Sequence, residues 1–315
     1  MSEKDFKKVL RKVDQIKINE DTNIVELIRS LKNTGFNAKR LALACEIYCE
    51  MIKNEDCVKF FGLAGALVPV GLQRIIYDFI AEDFIDVLVT TGANLTHDLA
   101  EALGYSHLQG SIDINEISDE ALHSEEINRI YDVFMPNKVY EGIEDFISKI
   151  EIPDLQMPVS SFLSYLGSQL PKTSYSILRI CYEKEVPIFC PAFTDSGLAM
   201  QLGFHHKDLN LNHFKDMLEM VNLAWDAKNA GICILGGGVP KNFIMQSLQF
   251  CPNSAAYAIQ ITMDRPEPGG LSGASLREAI SWGKISEKAK YSTIISDATI
   301  ALPLIFWYLK KKKIK

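Results

Sequence analysis

In the segment EAISWGKI, Lys284 stands apart from the other lysines, which gather in runs such as KDFKKVLRK near the start and LKKKKIK at the end. Those runs read as solvated faces and a tail. Ile280, Trp282 and Ile285 around Lys284 imply a largely buried segment. An ammonium buried without a partner responds with a lowered pKa, and a lysine that is partly neutral at pH 7 attacks carbonyls and imines. A lysine whose stem covers apolar surface while its head reaches water would keep the same neighbours.

Other residues with chemical potential sit where apolar runs end. ILGGGVPKN sets Gly236, Gly237 and Gly238 between an apolar run and a helical one. Such glycines let a backbone approach a pyrophosphate, and a helix N-terminus stabilises its charge. The run is not G-x-G-x-x-G, and no acid follows at the usual distance, so a tight strand-to-helix turn explains it equally well. VTTGAN offers the hydroxyls of Thr90 and Thr91 with the flexible Gly92, suited to ribose or phosphate. FTDSG and ISDAT each carry an aspartate, Asp195 and Asp297, able to accept both hydroxyls of a ribose or to balance an amine. Either aspartate could instead cap a helix; two of them beside a glycine loop favour a dinucleotide site. His97, His205 and His206 are candidates for proton transfer. Neither a serine-centred elbow nor a nucleophilic cysteine motif is present.

These residues need a scaffold. IDVLVTTGAN, VPIFCPAFTDSG, GICILGGGVPKN, AYAIQITMD and YSTIISDAT are apolar runs, and all but AYAIQITMD lead directly into helical patterns. Continuous apolar strands alternating with helices indicate a doubly wound, mostly parallel α/β sheet, Rossmann-like, with helices on both faces. Ligands of such sheets bind beyond the carboxyl ends of the strands. Residues 1–50 read as a helical N-terminal extension, with Thr22 capping a helix from Ile24, on a single domain spanning 1–315. The acidic stretch from Asp113 to Phe146 reads as exposed turns and helices, an excursion over the site.

Composition narrows the classes. Of 315 residues, 47% are hydrophobic and 23% charged, ordinary for a globular chain with a large core. Lys and Arg number 33 against 40 Asp and Glu, a net charge of −7 that argues against nucleic acid and suits a cationic substrate. The seven cysteines lie mostly in apolar runs without metal-site spacing, so they read as buried thiols of a reducing cytoplasm, with no metal. The start MSEKDFKKVLRKVDQ lacks the apolar core of a signal peptide, and no run is long enough to span a bilayer.

Taken together and in order, DVLVTTGANLTHDLAEALG, PIFCPAFTDSG, LGGGVPKN, LSGASLREAISWGKI and SDATIALPL resemble deoxyhypusine synthase over about residues 30 to 308. The resemblance implies that NAD takes a hydride from spermidine and that the resulting imine loses 1,3-diaminopropane. The butylamine fragment would pass to Lys284 as a new imine, then to a lysine of translation initiation factor 5A, and be reduced there. It also implies that Trp282 stacks on the polyamine and Glu278 pairs with an ammonium. Thr90, Thr91, Gly92, Asp195, Gly236, Gly237, Asp297 and Ala298 would hold NAD, with sites at the interfaces of a homotetramer. Three positions depart from the better-known eukaryotic pattern: Met200 and Leu271 replace acids, and Phe243 replaces a spermidine-site histidine. Two further functions keep most of the motifs: transfer to a free amine such as putrescine, as in homospermidine synthases, and a catalytically silent NAD-binding partner subunit.

Overall fold

The computed structural model describes residues 10–111 and 117–312. Two helices come first, α1 (Ile24–Leu31) and α2 (Phe36–Lys53). Asn23, not Thr22, caps α1. The Asn23 side chain accepts from the Val25 and Glu26 amides while Glu26 accepts from the Asn23 amide, a reciprocal box that only Asn23 is spaced to close. Thr22 instead donates its hydroxyl to Asn19.

The chain continues through β1 (Cys57–Leu63), α3 (Gln73–Ala81), β2 (Val87–Thr90) and α4 (Gly92–Ala102). Of the acidic stretch, residues 112–116 lie outside the described residues. β3 (Leu108–Gln109) comes just before that stretch, whose described part comprises α5 (Asp119–Ser124), β4 (Ile127–Ile130), β5 (Val133–Pro136) and most of α6 (Lys138–Lys149). It is therefore more than turns and helices: β3, β5 and β4 form a small antiparallel sheet. After it come α7 (Val159–Gln169), α8 (Ile177–Glu183), β6 (Ile188–Phe189), α9 (Gly197–His205) and α10 (His213–Asp226). The final elements are β7 (Asn229–Leu235), α11 (Gly238–Gln249), β8 (Ala255–Thr262), α12 (Glu278–Ser281), β9 (Ile285–Ile295) and α13 (Ala298–Lys311).

Six strands form the main sheet in the order β6-β2-β1-β7-β8-β9, every pair parallel. Counted in order of use, this is 3-2-1-4-5-6, the arrangement of dinucleotide-binding sheets. The central strands β1, β2, β7 and β8 are mostly apolar because both faces are covered, whereas the edge strand β9 exposes Glu287, Lys288 and Lys290. Phe61, Leu63, Cys233 and Leu235 pack into one cluster with α2, α3 and α13. Phe60, Ile232 and Ile234 pack into a second with α10 and α11. The run VPIFCPAF yields a strand of only two residues. Pro187 and Pro191 flank it, and proline cannot donate to a ladder, so β6 stays a short edge strand. All seven cysteines are free and six are buried; burial pushes the Cys49 thiol up to about 11. No helix among the described residues is long and apolar enough to cross a membrane.

Candidate active site at the carboxyl edge of the sheet

Strand order reverses between β1 and β7, and ligands of such sheets bind in the crevice that this reversal opens. Leu63 at the end of β1 is in register with Thr90 on one side and Leu235 on the other. The Ala64 amide donates to the Leu235 carbonyl, and Gly236 turns away with φ +72 beside Ala64. That left-handed turn is where glycine is needed. The loops after β1, β2 and β7 therefore meet at one edge.

Within them, Thr90 is buried and its hydroxyl donates to the Leu63 carbonyl. Thr91 caps α4 through the Asn94 amide. Gly92 is closed in by the FTDSG loop, because a Cβ there would lie 2.4 Å from that of Ser196. Ser196, not Asp195, caps α9, which leaves the Asp195 carboxylate exposed at the strand ends. Asp297 is also exposed and caps α13 by accepting from Thr299, with Ala298 buried behind it. With Gly71, His107 and Asp132, Asp297 lines a cleft of about 470 Å³. The β4–β5 turn supplies Asp132, so the excursion does reach over this edge.

The close approach at Gly237 is made by the chain itself. A Cβ on Gly237 would sit 2.4 Å from Ser272 Cα, and the Gly238 amide donates to Ser272 Oγ at 3.0 Å. The LSGAS segment thus lies directly on the glycine loop. Lys241, in the first turns of α11, fastens it there. Lys241 is only 3% exposed, and its Nζ donates to Gln260 Oε1 (3.1 Å), the Leu271 carbonyl (3.0 Å) and the Ala274 carbonyl (2.6 Å). Gln260 in turn donates to the Gly236 and Ser272 carbonyls. Burial lowers the Lys241 ammonium to about 8, with the charge of Glu278 opposing the shift.

Among the described residues the deeply buried lysine is therefore Lys241, and Lys284 differs from expectation. Lys284 is half-buried, Trp282 is 57% exposed and Glu278 is exposed. The physical reason is local. Glu278 and Trp282 belong to a helix of one turn and its C-cap; the chain then reverses at Gly283 with φ +69, and only Ile285 enters the core. The Lys284 ammonium lies 5.1 Å from the Trp282 ring centroid, within cation–π range. Ile285 pairs with Ala255, the first residue of β8, seven residues before Thr262 at the carboxyl end. At strand rise that separation is about 23 Å. A single chain thus brings Thr91, Gly92, Asp195, Gly236 and Asp297 to one edge and leaves Lys284 at the other, with Glu278 on the side facing Lys241.

Of the histidines, His205 bonds Glu144 and His206 donates to the Ile147 carbonyl, both on α6. His97 sits in a different network: its Nδ1 is 2.8 Å from His107 Nε2, and His107 Nδ1 is 2.6 Å from Glu101. Burial, then the His107 charge, lowers His97 to about 4. Sequence reasoning missed His107 and Lys241. The signal for Lys241 was a lysine one turn into an apolar helix, and a glutamine inside the apolar run AYAIQIT.

The family model described as deoxyhypusine synthase matches residues 26–309. The chain is 47% identical over 294 residues to a Methanosarcina acetivorans protein named "Probable deoxyhypusine synthase 1", covering 92% of this chain and 91% of that one. It is 40% identical over 299 residues to the Archaeoglobus fulgidus protein of the same name, covering 95% and 97%. Among solved structures, a protein of Entamoeba histolytica assigned to the deoxyhypusine synthases shares the fold, with a TM-score of 0.61, 16% identity, and 94% and 96% of the two chains covered. With its dinucleotide-type strand order and its Trp-Gly-Lys segment, this chain belongs to the deoxyhypusine synthase family of transferases.

Proposed function

We propose that this protein is an NAD-dependent aminobutyltransferase that carries the butylamine group of spermidine through Lys284 to a lysine of translation initiation factor 5A. The observation that carries the reading is the Glu278–Trp282–Lys284 strip, in which an amine stands beside an aromatic face one helical turn from a carboxylate. NAD, when bound, supplies a hydride acceptor and returns the hydride at the end. The strand-end groups fit it. Asp297 faces a cleft, Asp195 is exposed, and Gly236 turns where the strand order reverses, beside Gly237, which the LSGAS loop covers. Thr90 and Thr91 shape that edge through their hydroxyls, Gly92 through the close approach of Ser196, and Ala298 by burial behind Asp297.

The chain's own groups divide the remaining work. Glu278 pairs with a substrate ammonium, Trp282 covers the alkyl chain, and Lys284 displaces 1,3-diaminopropane by forming an imine that the acceptor lysine later takes over. Lys241 positions the LSGAS loop. The roughly 23 Å between Lys284 and the strand ends, estimated from strand rise, together with the exposure of Trp282, supports sites completed between copies in a cytoplasmic homotetramer of single-domain chains. Borohydride added to enzyme, NAD and spermidine should leave an aminobutyl adduct on the Lys284 peptide. Lys284→Ala should lose transfer and retain NAD. Diaminopropane release should be faster with factor 5A than with putrescine; the reverse order indicates a homospermidine-type acceptor, and no release with either indicates a silent subunit.

A further inference from the structure

On the sheet face that carries α10 and α11, beside the end of β6, lies a pocket of about 200 Å³ whose lining is aromatic and apolar apart from two polar groups. Phe189, Phe214, Met217 and Phe243 form its walls, and Phe189 and Phe243 are 6.1 Å apart. The two polar groups are Asp216 and His213. Asp216 is 4% exposed. Its Oδ1 accepts from the Ser160 amide (3.1 Å) and the Ser160 hydroxyl (2.7 Å), which ties α10 to the first turn of α7. Its Oδ2, and His213 Nδ1, are buried and without a hydrogen-bond partner among the described residues. A buried carboxylate oxygen with no donor costs several kcal/mol unless a cation or donor reaches it. One oxygen is tied to Ser160, and the Val159 amide and the charge of His213 also favour the carboxylate, while Oδ2 keeps no hydrogen-bond partner among the described residues.

We infer that this pocket binds a primary alkylammonium group, with Asp216 Oδ2 pairing the charge and the Phe243, Phe214 and Met217 side chains covering the alkyl stem. The chemistry selects this ligand class: a single acid at the base of an aromatic, low-polarity slot favours one cation on a hydrocarbon chain over an anion or a neutral polar group. Burial raises the Asp216 pKa, and a paired ammonium would offset that cost. Phe243, one of the three departures from the eukaryotic pattern, is a wall of this pocket. The inference rests on the proposed polyamine reading and deepens it, since Asp216 would supply an acid for one end of the substrate where Met200 and Leu271 do not.

The test is a calorimetric titration of the NAD-loaded protein with n-butylammonium chloride, with n-butanol as the uncharged control. Asp216→Asn keeps an oxygen for Ser160 and removes only the charge, so α7 stays capped. It should weaken butylammonium binding at least tenfold without changing the response to butanol. Met217→Trp leaves Asp216 intact and fills the pocket, and should weaken binding to a similar degree. In turnover, Asp216→Asn should raise the spermidine KM at least tenfold with kcat changed less than twofold. Equal butylammonium binding by wild type and Asp216→Asn overturns the inference, as does wild-type binding no tighter than that of butanol, the result expected if water alone satisfies Oδ2. The titration needs no turnover, so a missing borohydride adduct on Lys284 would refute the transferase reading without deciding this one.

Discussion

Replacing Lys241 with methionine should release the LSGAS loop while leaving the sheet intact. The side chain holds three acceptors, Gln260 Oε1 and the carbonyls of Leu271 and Ala274, and Gln260 is fully buried. Methionine keeps the volume and donates to none of them. Hydrogen bonds from a charged donor contribute about 1.5–3 kcal/mol each, and part of that is recovered where the freed carbonyls reach water, so a net loss of about 3–5 kcal/mol is expected. The pH dependence gives an independent check. Burial holds Lys241 at about 8, well below the ordinary lysine value of 10.5. Between those values the unfolded chain binds the proton that the folded chain has released, so stability rises with pH and falls back as pH drops through the folded value. For those two pKa values the difference in unfolding free energy between wild type and Lys241→Met should widen by about 1 kcal/mol from pH 7 to pH 9. Urea unfolding at the two pH values measures it, and hydrogen exchange on the 263–277 peptide reports the loop. A constant difference between pH 7 and 9, or unchanged exchange in that peptide, would refute the reasoning.

Gly237→Ala would put a Cβ 2.4 Å from Ser272 Cα, so backbone must move, and a loss of about 1–3 kcal/mol with weaker NAD binding is expected from thermal unfolding and cofactor titration. Asp98→Ala removes the acceptor shared by Gln73, the Ser176 hydroxyl and the Ile177 and Leu178 amides, and should cost about 3–5 kcal/mol in urea unfolding; a loss under 1 kcal/mol would mean water replaces it easily. His97, held at about 4 by burial and His107, resists a proton in the folded state that the unfolded chain accepts near 6.5. Stability should therefore fall as pH drops from 6.5 to 4, by as much as ~3 kcal/mol, and His97→Gln should flatten that slope.

The alternation of apolar runs and helices was legible because a parallel sheet covered on both faces leaves its strands no polar side, so β2 and β7 appear as apolar segments and β8 is interrupted only by Gln260 and its terminal Thr262. The strand-end positions followed from the same logic: wherever a run ended, its next residues had to lie at the carboxyl edge, and Gly92, Asp195, Gly236 and Asp297 do. The small sheet was not legible, since Asn128 and Arg129 on β4 are polar, β3 is two exposed residues, and only Phe134 and Met135 on β5 are buried. Nor was the choice of cap at Asn23 over Thr22, which turned on a single residue of spacing.

The identity of the buried lysine lay beyond sequence reasoning for a different reason. Local neighbours favoured Lys284, because Ile280, Trp282 and Ile285 are apolar. Yet burial at Lys241 is created by partners 19 to 33 residues away, a glutamine on β8 and two carbonyls of the loop after it. Motif order cannot convey that, and it cannot convey that Ile285 pairs with the start of β8 instead of its end. The two lysines thus divide what the sequence seemed to assign to one. Lys241 is desolvated by its own chain and spends its donors on structure, which leaves it no free donor to serve a substrate. Lys284 keeps its amine beside Trp282, and on the proposed transfer the desolvation that imine chemistry favours would come from what covers that exposed ring: substrate, cofactor or a second copy of the chain. Reactivity in this fold is accordingly a property of the filled site, and the isolated chain provides the register that allows it.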